Sequence, residues 1–252
     1  MADREVLAVV TGTSSGIGAA LATRLLDDGW TVIGISRRDV DLGHPAYQHL
    51  VLDLGNLHAL QTLVEKRLAG TMADPRWQRV GLVNNAALGG TQMGIEETDP
   101  ERLAWLLSIN TVAPVYLMGI AARVVPPPTP LRIVNVSSGA AHKGFPGLGD
   151  YCASKAALRL AGMSLAEELA SDGRPGGRRV DGRVLSYEPG VVDTPMQTRA
   201  RSVDGVESAW TQPFRDFRAQ GLLEKPGDVI VPVVEFLESE DGPVFEEKRF
   251  GA

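Results

Sequence analysis

The chain has 252 residues, 44% of them hydrophobic, which is enough to bury a large core in one large domain or two small ones. Its net charge of −6 argues against a nucleic-acid or anionic-membrane partner, and its single cysteine, Cys152, excludes an internal disulfide framework. The four scattered histidines show no metal-ligand spacing, so we expect no bound metal.

The first residues, Met1 to Glu5, mix charges and lead directly into an apolar run. We therefore expect no signal peptide. We also expect no membrane-spanning segment, because no apolar run approaches the necessary length. These features predict a soluble, cytoplasmic protein.

Short apolar, β-branched runs alternate with amphipathic stretches along the chain. Strands are predicted over residues 6–11, 31–36, 47–52, 80–84, 131–137 and 183–187. Helices are predicted over residues 18–28, near 57–68, over 101–124 with a turn near 110–114, and over 151–170. Since the strands are apolar throughout, the pattern predicts a Rossmann-type, doubly wound parallel sheet with helices on both faces. We expect a single catalytic domain over residues 1–252, with residues 193–223 forming a lid over the substrate.

Residues 12–16, Gly-Thr-Ser-Ser-Gly, fit two motifs with different functions. G-x-S-x-G is the nucleophile elbow of esterases, with Ser14 as the attacking hydroxyl, and the same residues fit a glycine-rich turn around a dinucleotide phosphate. Part of an esterase oxyanion hole comes from a loop that precedes the nucleophile. Only eleven residues precede Gly12, so the dinucleotide interpretation is favoured and a serine hydrolase becomes the weaker alternative.

In the dinucleotide interpretation, Gly12 makes a tight turn, Gly16 lets the backbone approach the pyrophosphate, and Gly18 allows close helix–strand packing. The following helix offers N–H groups and the positive end of its dipole to an anion. We expect the hydroxyls of Ser14 and Ser15 to bind phosphate or to cap the helix.

The end of the second predicted strand indicates which cofactor binds. Dinucleotide sites usually place an acid there, whereas this sequence has Ser36, Arg37 and Arg38. Guanidinium groups pair with a 2′-phosphate, so we predict NADPH over NADH, with Arg37 as the main contact and Arg38 in support. A solvated arginine pair is the alternative. Asp53 either accepts from the adenine amino group or caps a helix.

Tyr151 and Lys155 lie one turn apart at the start of a predicted helix. A free phenol has a pKa of about 10, which is too high for efficient proton transfer near neutrality. We expect the lysine ammonium, together with an oxidised nicotinamide ring, to lower the pKa of Tyr151. Taken alone, Tyr-x-x-x-Lys is common on helices and carries little weight.

Together these motifs resemble the short-chain dehydrogenase/reductase family over nearly the whole chain. Residues 11–18 match T-G-x-x-x-G-x-G, and residues 84–87, Asn-Asn-Ala-Ala, match N-N-A-G except at the last position. Asn110 stands where the family has its asparagine, and Ser138 precedes Tyr151 by thirteen positions. Pro189-Gly190 followed by Thr194 matches the segment that covers the nicotinamide.

The resemblance implies a role for each of the four catalytic positions. Tyr151 would exchange a proton with the substrate oxygen, and Ser138 would hydrogen-bond that oxygen. Lys155 would hold the nicotinamide ribose, and Asn110 would hold a water in a proton relay. Ser137 could face the site instead of Ser138, and Asn110 could simply bridge a helix kink. The other cofactor contacts implied are Ile17, Leu54, Asn85, Ala86, Ala87, Pro189, Gly190, Val192 and Thr194.

Residues 183–190 and 193–197 look like the family branch that contains sepiapterin reductase and benzil reductase. The resemblance implies a small carbonyl or alcohol substrate, reduction of a ketone or vicinal dicarbonyl with NADPH, and a homodimer or homotetramer. A rough alignment puts Glu246 where sepiapterin reductase anchors its pterin, although a surface acidic run is the favoured explanation. Glu188 has no explanation at this level. A non-catalytic NADP(H)-binding sensor or scaffold is the alternative from another class.

Overall fold

A computed structural model describes residues 5–171, 180–201 and 210–251. Residues 202–209 of the predicted lid lie outside the described residues. The strands are β1 (Val6–Thr11), β2 (Thr31–Ser36), β3 (Tyr47–Val51), β4 (Arg79–Asn84), β5 (Leu131–Val136), β6 (Gly182–Glu188) and β7 (Phe245–Arg249).

The seven strands form one parallel sheet in the order β3-β2-β1-β4-β5-β6-β7. The strand order reverses direction between β1 and β4, which pair through Val6 opposite Arg79. In open sheets of this kind, a crevice at the carboxyl ends of the strands marks the ligand site at such a switch point.

Both faces of the sheet are buried, as the uninterrupted apolar strands predict. Leu7 and Val9 of β1 belong to one core, while Ala8 and Val10 belong to the other. This alternation follows from the period of two along a strand, and it requires helices on both sides of the sheet. The predicted fold class is confirmed.

The helices are α1 (Gly16–Asp27), α2 (Leu57–Leu63), α3 (Ala69–Met72), α4 (Pro100–Leu107), α5 (Ala113–Val124), α6 (Gly149–Ala170), α7 (Pro195–Arg201), α8 (Gln212–Ala219), α9 (Pro226–Val229) and α10 (Val231–Glu238). α1 and α10 cover one face of the sheet, and α5 and α6 cover the other. π-helical segments join α2 to α3 (Val64–Leu68) and α4 to α5 (Ser108–Val112).

The structure corrects the expectation of a turn near residues 110–114. The chain continues from α4 into α5 through the π-helical segment, which inserts one residue per turn without breaking the helix. By length and composition alone, Pro100–Val124, with 25 residues and a mean hydropathy of 1.6 over an 18-residue stretch, also resembles a membrane span, so the statement that no apolar run approaches that length was wrong. Buried Leu117 and Ala121 pack in the core of this domain, which accounts for that composition.

The last part of the sheet and its covering helix were not predicted. β7 has the sequence FEEKR and forms the edge beside β6, so its charges lie where they discourage pairing with another sheet. α10 packs against the middle of the sheet, at β5 and Gly81 of β4, with buried Val233 and Leu237.

Gly18 supplies a test of how the first turn packs. A methyl group at Gly18 would overlap the carbonyl oxygen of Gly12 and the side-chain amide of Asn85, whereas one at Gly119, in α5, would meet nothing within 4 Å. We expect Gly18→Ala to lower the free energy of unfolding by about 2 kcal/mol or more, despite alanine's better helix propensity. Gly119→Ala, the matched control, should be neutral or raise it by up to ~1 kcal/mol. Urea unfolding measures both, and equal stability of the two variants would contradict this packing.

Candidate active site

The glycine turn after β1 is built so that side chains are absent from its inner surface. Gly12 and Gly16 have φ angles of +80° and +58°, in the left-handed region that favours glycine. A Cβ on Gly12 would lie 2.6 Å from the Asn85 side-chain amide, and one on Gly16 would lie 2.9 Å from Thr194 Cγ2. The glycines therefore let the 84–87 segment and the 188–194 segment close on the turn from two sides.

The N-terminus of α1 presents free backbone donors to this turn. Ser15 is the N-cap, and within the described residues its side chain makes no capping bond. The first turn of α1 contains no acid. The exposed N–H groups and the helix dipole favour an anion here, as the pyrophosphate of a dinucleotide requires.

Thr11 fixes the neighbouring 84–87 segment. Its hydroxyl accepts from the backbone N–H groups of Asn85 and Ala86, both at 3.0 Å, and the Asn85 amide donates to Thr11 O at 2.8 Å. Ala87 is outside the left-handed region, so alanine is tolerated where the family motif has glycine.

Arg38 lies at the glycine turn. Its guanidinium donates to both the carbonyl and the hydroxyl oxygen of Ser14 at 3.0 Å. Arg37 is exposed and has no hydrogen bond or ion pair to any described residue. Because a guanidinium cannot act as a general base, the group beside the Ser14 hydroxyl does not suit a serine nucleophile.

Asp53 and Leu54 follow β3 at the same edge of the sheet. The Asp53 carboxylate accepts from Gly55 N at 2.9 Å, and Leu54 is buried. The N-cap of α2 is Asn56, whose side chain accepts from Ala59 N, so the alternative of Asp53 as that cap is wrong. An Asx turn has formed around Asp53 instead.

Tyr151 and Ser138 meet at the carboxyl end of β5. Tyr151 is half-buried in the first turn of α6, and the Ser138 side chain lies close enough to its hydroxyl to act on the pKa of the phenol. Ser138 also caps the short helix Gly139–Ala141 by accepting from Ala140 N at 3.2 Å. The Ser137 hydroxyl is buried and, among the described residues, has no partner. Ser138 is therefore the serine that faces Tyr151.

Lys155 lies under Tyr151 on the inner side of α6. It is 3% exposed, its Nζ donates to Val136 O at 2.7 Å, and Nζ lies 5.6 Å from the centre of the Tyr151 ring. Burial lowers the pKa of Lys155 to about 8. The side chain thus carries a proton that titrates near neutrality.

Lys155 alone does not lower the pKa of Tyr151, and the lowering expected with an oxidised nicotinamide stays a prediction. Burial raises the pKa of Tyr151 to about 12, and the Ser138 side chain lowers it only in part. Desolvation outweighs the lysine because the ammonium points to the Val136 carbonyl and lies beyond hydrogen-bond distance of the phenol. Tyr151 is therefore a proton donor at neutral pH.

Asn110 lies in the π-helical segment and is almost fully buried. Its amide donates to Leu88 O and to Ser154 Oγ, and its oxygen accepts from Leu88 N at 2.8 Å. Thr111 donates to Ser154 O from the same segment. The extra residue of the π turn thus directs Asn110 inward, where it ties the loop after β4 to the helix that carries Tyr151.

The segment after β6 lies over the glycine turn. Pro189 precedes Gly190, which has a φ of +76° and open space where a Cβ would be. Val192 is buried and bridges to Glu224, and Thr194 packs on Gly16. This segment therefore closes the crevice on the side opposite residues 84–87.

Glu188 now has a structural explanation. Its carboxylate lies 3.6 Å from Arg249 Nε at the end of β7, and Phe250 N donates to its carbonyl. The acid fastens the C-terminal strand beside Gly139. Glu247 forms two hydrogen bonds with Arg159 on the α6 side of β7, which places Glu246 on the opposite side, beside α10. The structure does not place Glu246 near Tyr151.

Apolar side chains, most of them exposed, lie around the entrance to Tyr151, and neither Ile95 nor Met196 among them was predicted from the sequence. Ile95 packs on Gly149, Met196 lies beside Gly89, and Trp210 of the predicted lid packs on Gly147. Met93 and Phe145 are also exposed. Their residue types carry no motif, so only the convergence of three loops shows that they share a surface.

Two polar residues at this entrance were also missed. Asp150 accepts from Thr91 N and Tyr151 N, which joins the loop after β4 to α6. Gln92 has a φ of +59°, is buried, and donates to Ala200 O of α7. A cavity of about 280 Å³ lies beyond Gly149 and Asp150, but neither Tyr151 nor Ser138 lines it.

The arrangement is that of a dinucleotide-binding oxidoreductase, with an anion-binding turn and a tyrosine–serine–lysine cluster at one edge of a Rossmann-type sheet. A family model described as short chain dehydrogenase matches residues 6–204. An (S)-benzoin-forming benzil reductase from Bacillus cereus is 30% identical over 249 residues, which cover 96% of this chain and 97% of that protein. Sepiapterin reductase from Bos taurus is 35% identical over 239 residues, 86% and 84% of the two chains.

Among solved structures, a short-chain dehydrogenase/reductase from Saccharomyces cerevisiae matches with a TM-score of 0.77 at 26% identity, over 96% of this chain and 95% of that one. The chain belongs to the short-chain dehydrogenase/reductase family. It is an oxidoreductase of carbonyl or alcohol groups that uses a nicotinamide cofactor, and the predicted resemblance to the sepiapterin and benzil reductase branch is confirmed.

Lys155 is expected to reduce stability at neutral pH. Because burial lowers its pKa from 10.5 to about 8, the unfolded chain binds more protons between those values. The destabilisation is complete below pH 8 and fades as the pH rises toward 10.5. Lys155→Met should raise the free energy of unfolding by roughly 1–3 kcal/mol at neutral pH and lose that gain in alkali.

Urea unfolding across the pH range measures this effect. Lys66→Met, at an exposed lysine, is the matched control and should change stability little at any pH. A Lys155→Met variant that is no more stable than the wild type at neutral pH would contradict the assigned burial cost.

Proposed function

We propose that the protein is an NADPH-dependent reductase that transfers hydride to a ketone or vicinal dicarbonyl compound. The observation that carries the proposal is the placement of Ser138 and Tyr151 together next to the buried Lys155, beside the glycine turn. The glycines let the 84–87 and 188–194 segments close on the turn, and the α1 N-terminus provides donors for a pyrophosphate.

The residues of the cluster divide the proton chemistry between them. The reduced nicotinamide, when bound, supplies a hydride to the carbonyl carbon. Tyr151, protonated at neutral pH, donates its proton to the carbonyl oxygen as negative charge develops there. Ser138 donates a hydrogen bond to the same oxygen, which stabilises that charge.

Lys155 and Asn110 assist proton transfer by Tyr151. The Lys155 ammonium favours the phenolate that remains after proton donation, and it would hold the nicotinamide ribose. Asn110 keeps the loop after β4 in register with α6, and we infer that a water held there returns a proton to the site. Reprotonation of Tyr151 completes the cycle.

The arginines after β2 support NADPH as the preferred cofactor. Arg38 reaches the glycine turn and Arg37 is exposed beside it, and residues 36–38 contain no carboxylate to repel a 2′-phosphate. Ser36 and Asp53 complete the adenosine end of the site. We propose that Arg37 contacts the 2′-phosphate, as predicted, and that Arg38 contributes equally because of its position at the glycine turn.

The apolar entrance supports a substrate with bulky hydrophobic groups on its carbonyl carbon. Ile95, Met196 and Trp210 come from three separate loops and converge next to the start of α6. Apolar surface of this kind marks a binding site. The names of two relatives, benzil reductase and sepiapterin reductase, refer to carbonyl compounds that carry ring systems.

The outer faces of the long helices support assembly of identical copies. Trp105, Val112 and Val115 on α4 to α5, and Leu160 on α6, are exposed. These helices precede and follow β5. A single interface with a second copy of the chain would cover all four side chains. We propose a homodimer or homotetramer in the cytoplasm.

The proposed chemistry predicts a specific failure in Tyr151→Phe. Without the phenolic proton, reduction should slow by at least about 100-fold, while NADPH binding stays within about twofold of wild type. NADPH oxidation with a panel of diketones, pterins, quinones and ketosteroids measures turnover, and NADPH fluorescence measures binding. Tyr116→Phe, on α5, is the matched control and should keep full activity. Wild-type turnover by the Tyr151→Phe variant would contradict the mechanism.

Cofactor preference should depend on the arginines. Arg38→Ala and Arg37→Ala should each lower kcat/KM with NADPH by about 10- to 100-fold and leave NADH values nearly unchanged, because each removes a charge-assisted contact to the 2′-phosphate. Arg24→Ala, on α1, serves as the control for loss of a surface cation. If the double variant Arg37→Ala/Arg38→Ala keeps the wild-type preference, the cofactor assignment is wrong.

A further inference from the structure

A continuous chain of polar side chains runs beneath the arginines at the end of β2. The Tyr47 hydroxyl lies 3.2 Å from Thr13 Oγ1 and 2.7 Å from His49 Nδ1. His49 Nε2 lies 2.9 Å from Arg38 O and 3.2 Å from Ser36 Oγ, and Ser36 donates to Arg38 O at 2.7 Å. The His49 imidazole therefore connects β3 to the end of β2 and to the loop that carries Arg37 and Arg38. Tyr47 extends this connection to the glycine turn through Thr13.

Gly34 provides the space for this chain. A Cβ there would overlap the Tyr47 hydroxyl and lie 2.6 Å from Thr13 Oγ1. Thr13 is fully buried and Ser36 is 7% exposed. The network is a packed part of the fold, formed where β2 and β3 pair through Gly34 and His49.

The network holds His49 in either protonation state. Because the Arg38 carbonyl can only accept, Nε2 carries a hydrogen in both states. In the neutral ring, Nδ1 accepts from the Tyr47 hydroxyl. In the charged ring, Nδ1 donates to Tyr47, whose hydroxyl then donates to Thr13. A proton can therefore be added without breaking a hydrogen bond.

Without a bound phosphate, the positive charges of Arg37 and Arg38, in the loop whose Arg38 carbonyl contacts His49, oppose an imidazolium. A 2′-phosphate bound by these arginines would offset their charge and so favour the imidazolium. Asp39 and Asp41 lie in the same loop, close enough to act on Tyr47. Burial, opposed by the Thr13 hydrogen bond and reinforced by these carboxylates, raises the pKa of Tyr47, so the phenol stays neutral. A proton added to this network would therefore be carried by the imidazole.

We propose that His49 is a positioning residue for the cofactor 2′-phosphate, which becomes imidazolium when NADP(H) binds and holds Ser36 and Arg38 in place beneath that phosphate. This proposal rests on the NADPH preference argued above. It adds a charge that depends on pH to a site whose arginines do not titrate. By linkage, the phosphate should favour protonation of His49, and protonation should favour the phosphate.

The test measures dissociation constants for NADPH and NADH by fluorescence, from about pH 5.5 to about pH 8.5, the range in which histidine titrates. The measured quantity is the dissociation constant for NADH divided by that for NADPH. When the pH falls across this range, this ratio should increase about 3- to 10-fold more in wild type than in His49→Gln. Glutamine can still donate to Arg38 O but cannot become charged. Titration of the 2′-phosphate on the free cofactor is the same in both measurements, so that effect cancels.

His58→Gln, at an exposed histidine in α2, is the matched control and should follow wild type. Tyr47→Phe removes the acceptor for the charged ring and should reduce the acid-side gain in the same direction as His49→Gln. Parallel pH curves for wild type and His49→Gln would overturn the proposal while leaving the NADPH preference intact. Equal binding of NADPH and NADH by wild type at every pH would instead overturn the cofactor assignment and this inference with it.

A second measurement does not depend on the variants folding. The NMR titration of the His49 Cε1 proton in the wild-type protein should show a higher midpoint with NADP⁺ bound than with NAD⁺ bound. Equal midpoints in the two complexes would also overturn the proposal.

Discussion

Parallel pairing of β1 with β2 on one side and β4 on the other is the constraint on which the site depends. It brings the carboxyl ends of the strands to one edge, with a crevice where the strand order reverses. The glycine turn, the 84–87 segment and Ser138 all follow strand ends at that edge. Each contributes little by itself, and the register places them together.

The same edge of the sheet holds both an open, positively charged surface and a buried ammonium group. The α1 N-terminus and Arg38 form an open, positive surface suited to phosphates. Lys155 is instead buried, and its ammonium is held by a single carbonyl. Burial of that kind opposes folding, so the rest of the core must offset it. The two apolar cores on either side of the sheet provide the stabilising free energy that offsets this cost.

Sequence patterns predicted most of this architecture because they report local requirements. The apolar runs of β1 to β6, the glycines at positions 12, 16 and 18, and the spacing of Tyr151 and Lys155 are visible without a fold. β7 was missed because an edge strand of charged residues has no apolar signal. The π turn around Asn110 was taken for a turn, since one extra residue leaves no period of its own. The direction of the Tyr151 pKa shift depends on burial, and the contact between Arg38 and Ser14 depends on tertiary packing, so neither could be read from spacing.

The central claim is that hydride passes to a carbonyl carbon next to Tyr151 and Ser138. The most direct measurement follows the hydrogen itself, with NADPH deuterated at nicotinamide C4 and an aryl diketone as substrate. The account predicts that the deuterium appears on the new carbinol carbon of the product, from only one face of the nicotinamide, while the hydroxyl proton comes from solvent. Product that carries no deuterium with either C4 epimer, or consumption of the substrate without oxidation of the cofactor, would contradict the account.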